Sequence, residues 1–262
     1  KSEPLLSLPA VKVFVDGVIE SKSAFLHSPY ATGGGSGKPK MSGEQLSGFL
    51  SRCARAGLGV AMHTIGDAAV TLALDAVESL DGDAPPLLRL EHIEVLRETD
   101  ARRFVELGVE ASMQPLHADP GGPEPGSGVW AENLGTERLR RTFTWRRLET
   151  HGATLRFGSD WPVVDADPFA GMAVALTRRS RFGEPAGGWF PEQRLDPVAI
   201  VDAYAARPNL SPGSPARLVV LRPGANFGHP RALWPIAADP ARGTDALSAV
   251  LYVVFDDTLH RF

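Results

Sequence analysis

Four side chains able to hold a metal ion or move a proton recur at matching places along the chain. Lys12 lies in Val-Lys-Val-Phe-Val-Asp-Gly, His63 closes Gly-Val-Ala-Met-His, His92 closes Leu-Arg-Leu-Glu-His, and Asp160 closes Leu-Arg-Phe-Gly-Ser-Asp. Neutral imidazole and carboxylate bind zinc or similar ions at about 2 Å. A lysine joins such a set only when uncharged, for instance as a carbamate. Each residue also has a plainer reading. A histidine at a strand end can be a hydrogen-bonded loop residue, a lysine within a strand normally faces solvent, and a terminal aspartate can cap the next helix. The recurrence of these residues at the ends of successive strand segments favours the metal reading, because ligands bind at the carboxyl ends of parallel strands.

The elements that must position them follow from period and punctuation. Val11–Val15 reads as a strand closed by the turn pair Asp16-Gly17. A glycine-rich stretch, Thr32–Lys38, lacks the Gly-Lys-Ser/Thr ending of a phosphate-binding loop and reads as a surface loop. Ser42 and Gln45 form a capping box before a helix that carries Leu46, Phe49, Leu50 and Cys53 and ends at Gly57. Further strands are expected at Leu58–His63, Leu87–His92, Val109–Met113 and Ala153–Gly158. Helices are expected over Asp67–Leu80, from Thr99 to Gly108, around Leu139, Phe143 and Leu148, over Pro168–Arg179, and after Asp196-Pro197. A long Gly/Pro loop spans Pro115–Gly128. Five strand-then-helix units in a row imply parallel strands joined by right-handed crossovers. After about Pro208 the texture changes to strands at Arg217–Leu221 and Leu247–Phe255, without an intervening helix.

Composition bounds the rest. The chain has 262 residues, 43% hydrophobic and 22% charged, with a net charge of −4. That balance excludes wholesale disorder and leaves no basic stripe for nucleic acid or an anionic membrane. No apolar run approaches the roughly 20 residues of a bilayer span, and Lys1–Ala10 has no long apolar stretch of the signal-peptide kind. The single cysteine, Cys53, excludes an internal disulfide framework and fits a reducing, cytoplasmic compartment. A closed (β/α)8 barrel needs eight strands; five units leave either an open sheet or the last five-eighths of a barrel.

Five stretches, in order, narrow this choice: Lys12-Val-Phe-Val-Asp-Gly, Met62-His-Thr-Ile-Gly-Asp67, Arg89-Leu-Glu-His-Ile-Glu94, Ala111-Ser-Met-Gln-Pro-Leu-His117 and Gly158-Ser-Asp-Trp-Pro-Val163. Together they resemble the amidohydrolase superfamily, in its amidohydrolase family 3 branch, which includes N-substituted formamide deformylases. The resemblance covers roughly Val11 to Leu221. It implies an α/β chain: a partial TIM (β/α)8 barrel, strands 4 to 8, over residues 1–208, with a C-terminal β-rich segment over 209–262. It implies that Lys12 is a carboxylated bridging lysine, that His63 and His92 are metal ligands, and that Asp160 both binds metal and acts as general base. It places Gln114 and His117 facing the substrate, and Trp161 beside Asp160 is a pocket candidate. Trp130, Trp145, Trp189 and Trp234 read as packing residues, and Arg178-Arg179-Ser180-Arg181 as a solvated helix end. Glu91 and Glu94 flank His92 and suit a supporting role; Asp67 suits a helix cap. Arg217, where the family has aspartate, and the segment from Phe255 depart from the family pattern.

The largest departure is an absence. The superfamily's first strand carries His-x-His, and none of the seven histidines (27, 63, 92, 117, 151, 229 and 260) forms such a pair. The expectation is therefore the C-terminal portion of a longer enzyme. Its intact relative holds two divalent ions, zinc by preference, and this chain one through Lys12, His63 and His92. The implied reaction is hydrolysis of a non-peptide carbon–nitrogen bond in a small amide, formamide or cyclic amide. Rival readings are a scaffold subunit that a partner or a second copy completes, a mononuclear hydrolase or deaminase with Lys12 unmodified, and an open nucleotide-binding sheet, which the lack of a Gly-x-Gly-x-x-Gly motif disfavours.

Overall fold

Short β-branched runs, each followed by an amphipathic segment, build a parallel sheet. The structure, a computed structural model, describes residues 8–118, 128–180, 182–205, 218–221, 250–255 and 258–261. In chain order the first elements are β1 (Ala10–Phe14), α1 (Gly43–Arg55), β2 (Gly59–Thr64), α2 (Asp67–Glu78), β3 (Leu88–His92), α3 (Arg103–Glu106) and β4 (Glu110–Met113). Then come α4 (Gly128–Leu134), α5 (Thr136–Leu139), α6 (Trp145–Thr150), β5 (Leu155–Phe157), α7 (Pro168–Thr177) and α8 (Pro197–Tyr204). β6 (Leu218–Leu221), β7 (Val250–Phe255) and β8 (Thr258–Arg261) complete them. Strands β1 to β5 lie side by side in sequence order, and the registers of the first four are parallel. This is the expected α/β arrangement, part of a (β/α) barrel. No helix among the described residues is long and apolar enough to cross a membrane.

The residues form two compact units, Lys1–Met113 with Gly126–Arg156, and Gln114–Pro125 with Phe157–Phe262. In the first, alternation along the strands separates two faces of the sheet. Val60, Met62, Leu90 and Met113 are fully buried on one face, and α1 and α2 lie against β2. The other face carries Lys12, Phe14, Arg89, Glu91, Glu110 and Arg156. Here Glu110 accepts from Arg89 Nη2 at 2.6 Å and from Arg156 Nε at 3.1 Å. Burial by itself would push the Glu110 carboxyl up; the hydrogen bonds and charges of the two guanidiniums together outweigh it and hold it below the usual range.

The long connection after β1 is folded down onto the sheet by one carboxylate. Asp16 is fully buried and accepts backbone N–H groups from Phe25 (2.9 Å), Ile65 (3.0 Å) and Gly66 (2.8 Å). It thereby ties the end of β1 to its own loop and to the end of β2. The carbonyl of Phe25 in turn accepts the N–H groups of Ala68 (3.1 Å) and Ala69 (3.2 Å), amides at the start of α2 that have no intrahelical acceptor. This approach needs glycine at position 66, where a Cβ would stand 2.0 Å from that carbonyl oxygen. Ile19, Ala24, Leu26 and Tyr30 of the loop bury themselves with Ile65, Val95 and Leu134. The Asn133 carboxamide of α4 donates to the Ile19 carbonyl at 3.0 Å. The exposed Thr32–Lys38 stretch folds back through Leu26 N–H to Ser36 O and Tyr30 N–H to Gly35 O, both 2.7 Å.

In the second unit α7 packs on α8 and on a 3-10 turn at Pro115–Ala118. Gly171 leaves room for the Tyr204 hydroxyl, and the Tyr204 ring meets Phe157 edge-on with centroids 5.5 Å apart. Asp167 and Asp196 cap α7 and α8 by accepting N–H groups from Phe169 and Ala199. β6, β7 and β8 form an antiparallel sheet in that order.

Several elements differ from their sequence expectation, each for a tertiary reason. The capping box at Ser42 and Gln45 forms as expected. The helix expected from Thr99 is a 3-10 turn at Glu98–Asp100 followed by the four-residue α3, and Asp100 is drawn instead to Thr71 Oγ1 at 2.6 Å and to Arg103. The helix expected through Leu139, Phe143 and Leu148 is broken into α5 and α6. Phe143 turns left-handed (φ 47°) and donates its N–H to Glu94 O at 3.0 Å, while Thr142 bridges to Val95. Asp67 is the first residue of α2 rather than its cap; its carboxylate accepts the His27 N–H and pairs with Arg141 at 3.4 Å. Arg178 is not a solvated helix end. It closes α7 in a left-handed turn, is 2% exposed, donates Nε to the Trp189 carbonyl at 2.8 Å and lies over the Trp189 ring. Burial pushes its guanidinium down to about 9. Strand β8 was not foreseen. The Gly/Pro stretch 119–127, Arg181, the boundary at 208/209, Arg217 and Trp234 lie outside the described residues.

Substitutions at three positions test this reading. Asp16→Ala strands three N–H groups and is expected to cost about 3–5 kcal/mol in urea unfolding, with Asp16→Asn in between. Gly66→Ala forces Phe25 off the start of α2 and is expected to cost about 2–4 kcal/mol in the same measurement. Glu110→Gln is expected to cost about 1–2 kcal/mol at pH 7. Because the folded-state Glu110 pKa is depressed, that difference is full above its ordinary value of 4.5 and disappears as pH falls through the lower folded value.

Candidate active site

The strand ends of the first unit bring two of the expected ligands together. His63 lies in β2 one residue before its end, and His92 closes β3; Thr64, next to His63, is in register with His92. Their rings meet edge-on with centroids 4.5 Å apart, and the two residues are 7% and 4% exposed. His92 and Ile93 are left-handed (φ 77° and 50°). A non-glycine residue held there stores of order 1 kcal/mol and is characteristic of functional positions. Beyond it the chain runs on beside the residues that follow β2, with Ile93 N–H on Thr64 O and Val95 N–H on Ile65 O.

One buried carboxyl stands beside this pair, and a second, Glu94, follows His92 by two residues. Asp16 Oδ1 is 3.8 Å from His63 Nε2, which also lies 3.2 Å from the Gly17 carbonyl. Burial pushes the Asp16 carboxyl up to about 6 against the pull of its three backbone donors and of the Lys40 charge. Glu94 is 8% exposed and accepts the Trp130 indole N–H at 2.7 Å. Burial pushes its carboxyl up to about 8; the Trp130 hydrogen bond opposes this and the charges of Glu20 and Asp16 add to it. Trp130 is stacked on Phe143 with centroids 5.6 Å apart. Trp130 packs against the Ile19, Leu26 and Leu134 cluster, as expected of a packing residue, and in addition holds the Glu94 carboxyl. Asp16 was legible only as half of a turn pair; its buried, triply bonded state is set by residues 25, 65 and 66.

Lys12 points to the same sheet face as His63 but one residue pair earlier, opposite Ala61, while Phe14 stands opposite His63. The Phe14 ring is near both, its centroid 5.8 Å from Lys12 Nζ and 4.9 Å from the His63 ring. The remaining expected residues belong to the second unit. Gln114 is buried directly after β4, and its carbonyl accepts the His117 N–H at 2.9 Å. Asp160 follows β5 in a left-handed conformation (φ 55°). Trp161 is 72% exposed and donates its backbone N–H to Ser159 Oγ.

Two adjacent imidazoles suit a shared divalent ion. Among the described residues no group of three or more His, Cys, Asp or Glu side chains is assembled at ligand distance, so the first unit offers a two-imidazole pair with Lys12 as the next basic group on its face.

Comparison with known proteins bears on the family and the fold. The amidohydrolase family profile matches residues 2–226. The chain is 34% identical over 232 residues to Protein LONG AFTER FAR-RED 3 of Arabidopsis thaliana, covering 82% of this chain and 39% of that protein. It is 28% identical over 185 residues to the N-substituted formamide deformylase of Arthrobacter pascens, covering 69% and 33%. Among solved structures it is similar to an uncharacterized metal-dependent hydrolase from Pyrococcus horikoshii OT3, with a TM-score of 0.63, 29% identity, and coverage of 78% of this chain and 39% of that one. The chain thus spans about two-fifths or less of the length of these relatives. With a family profile that matches most of its length, the chain belongs to the amidohydrolase family.

Proposed function

We propose that this chain contributes metal-binding and catalytic residues to a hydrolase acting on non-peptide carbon–nitrogen bonds of small amides, formamides or cyclic amides. The observation that carries the reading is the contact of His63 with His92 at the ends of adjacent parallel strands, with buried Asp16 against His63. A divalent ion, zinc by the nitrogen and oxygen character of the donors, supplies carbonyl polarisation and an acidified water when bound. His63 and His92 hold it through neutral ring nitrogens. Lys12 would join them as a carbamate, formed when its neutral amine adds to carbon dioxide and releases a proton. Asp160, after β5, takes a proton from the attacking water and returns it to the leaving nitrogen. Gln114, His117 and Trp161 contact the substrate. Two ions in the longer relatives and one here, and a cytoplasmic location, belong to the same proposal.

A second reading is favoured by the position of β1 and β5 at the two edges of the sheet order. Exposed strand edges invite pairing. In that reading the chain acts only with a partner chain or a second copy that covers them.

Zinc titration of the purified chain, followed by an amide and formamide hydrolysis screen, tests the proposal. Expected are about one zinc per chain and at least a tenfold weaker binding in His63→Ala and His92→Ala. Asp160→Asn is expected to keep the ion and lower turnover by about 10²–10⁴. Unchanged zinc binding in both histidine variants contradicts the assignment. Sedimentation separates the second reading: a monomer that hydrolyses amides unaided excludes it.

A further inference from the structure

The sheet face that carries His63 also carries an aromatic ring with two cations around it. Phe14 is 49% exposed, a large value for a ring in contact with a buried histidine. Lys12 Nζ and Lys40 Nζ stand 5.8 Å and 5.4 Å from its centroid. Lys40 is placed there by its backbone, whose N–H donates to Val15 O at 2.7 Å. Neither ammonium forms an ion pair among the described residues. The charge of Lys40 is felt by Asp16, whose oxygens already accept three backbone N–H groups. The Lys40 ammonium beside the exposed ring leaves apolar surface and positive charge open together, next to the proposed site of hydrolysis.

We propose that Phe14 and Lys40 form the substrate-selecting end of this site and take a substrate that carries a carboxylate on an apolar group, the ring packing on Phe14 and the carboxylate meeting the Lys40 ammonium. The assignment rests on the hydrolase reading for its place in catalysis and names the substrate class of that site. Lys40, rather than Lys12, is the selecting cation, because a Lys12 converted to carbamate no longer carries positive charge. A charge-assisted contact on a compact ammonium discriminates strongly against a neutral isostere.

The test uses two ligands without a carbon–nitrogen bond, so binding is read apart from hydrolysis. 3-Phenylpropionate and 3-phenyl-1-propanol share a shape and differ in charge. Titrated by calorimetry or ligand NMR into the full chain at low ionic strength, the carboxylate is expected to bind about tenfold tighter. Lys40→Gln is expected to bring the ratio near one while leaving the alcohol's affinity, and Lys40→Arg to restore it. Phe14→Ala is expected to weaken both ligands by about fivefold or more. Equal affinities in the parent chain, no binding of either ligand, or a ratio that Lys40→Gln leaves intact overturns the proposal. An intact, Lys40-dependent ratio in a chain that hydrolyses no amide sustains this subsite and removes the hydrolase reading alone.

Discussion

A carboxylate removed from water must find donors, and most of the first unit is arranged around the way Asp16 finds them. Its oxygens take N–H groups from its own loop and from the turn after β2, so the end of β1, the loop behind it and the start of α2 meet at one buried point. Desolvation raises its pKa to about 6, and the three N–H groups keep the charged form within reach at neutral pH. The same point faces His63. The group that organises the loop therefore also sets the electrostatics of the candidate site. Gly66 is part of this constraint, because only a residue without a Cβ lets Phe25 reach the first amides of α2.

The two faces of the sheet divide the labour. On one, alternate residues such as Val60, Met62 and Leu90 are sealed from water, and this burial supplies the main stabilisation. On the other, charge is tolerated because it is paired or left in contact with solvent. Glu110 neutralises Arg89 and Arg156, and Lys12 and Lys40 lie over Phe14. Histidines 63 and 92 stand where these chemistries meet, with rings buried and close enough to share a ligand. The segment after His92 extends the polar side through Glu94 and Trp130, and the Phe143 turn that supports Trp130 is the one that breaks the expected long helix.

Periodicity and turn residues specify the strand-and-helix order, the capping box at Ser42 and the strand-end placement of His63 and His92. These are local properties: a β-branched run, a Ser-x-x-Gln spacing and a histidine followed by a turn signal mean much the same in any context. Where tertiary partners compete with local preference, sequence reading falls short. Phe143 reads as helical until Glu94 offers its carbonyl, and Thr99 reads as a cap until Asp100 is drawn to Thr71 and Arg103. Arg178 reads as a solvated charge until Trp189 covers it.

The site divides in the same way. From the sequence alone came the residue types, their order and the family motifs, because donor chemistry and strand-end position are written in neighbouring residues. Only the folded chain decided that His63 touches His92, that Asp16 rather than another acid is buried against them, and that Phe14 stands open beside two lysines. Those contacts join residues up to 47 positions apart. Strand register and desolvation, which act through space and not along the chain, are what select them.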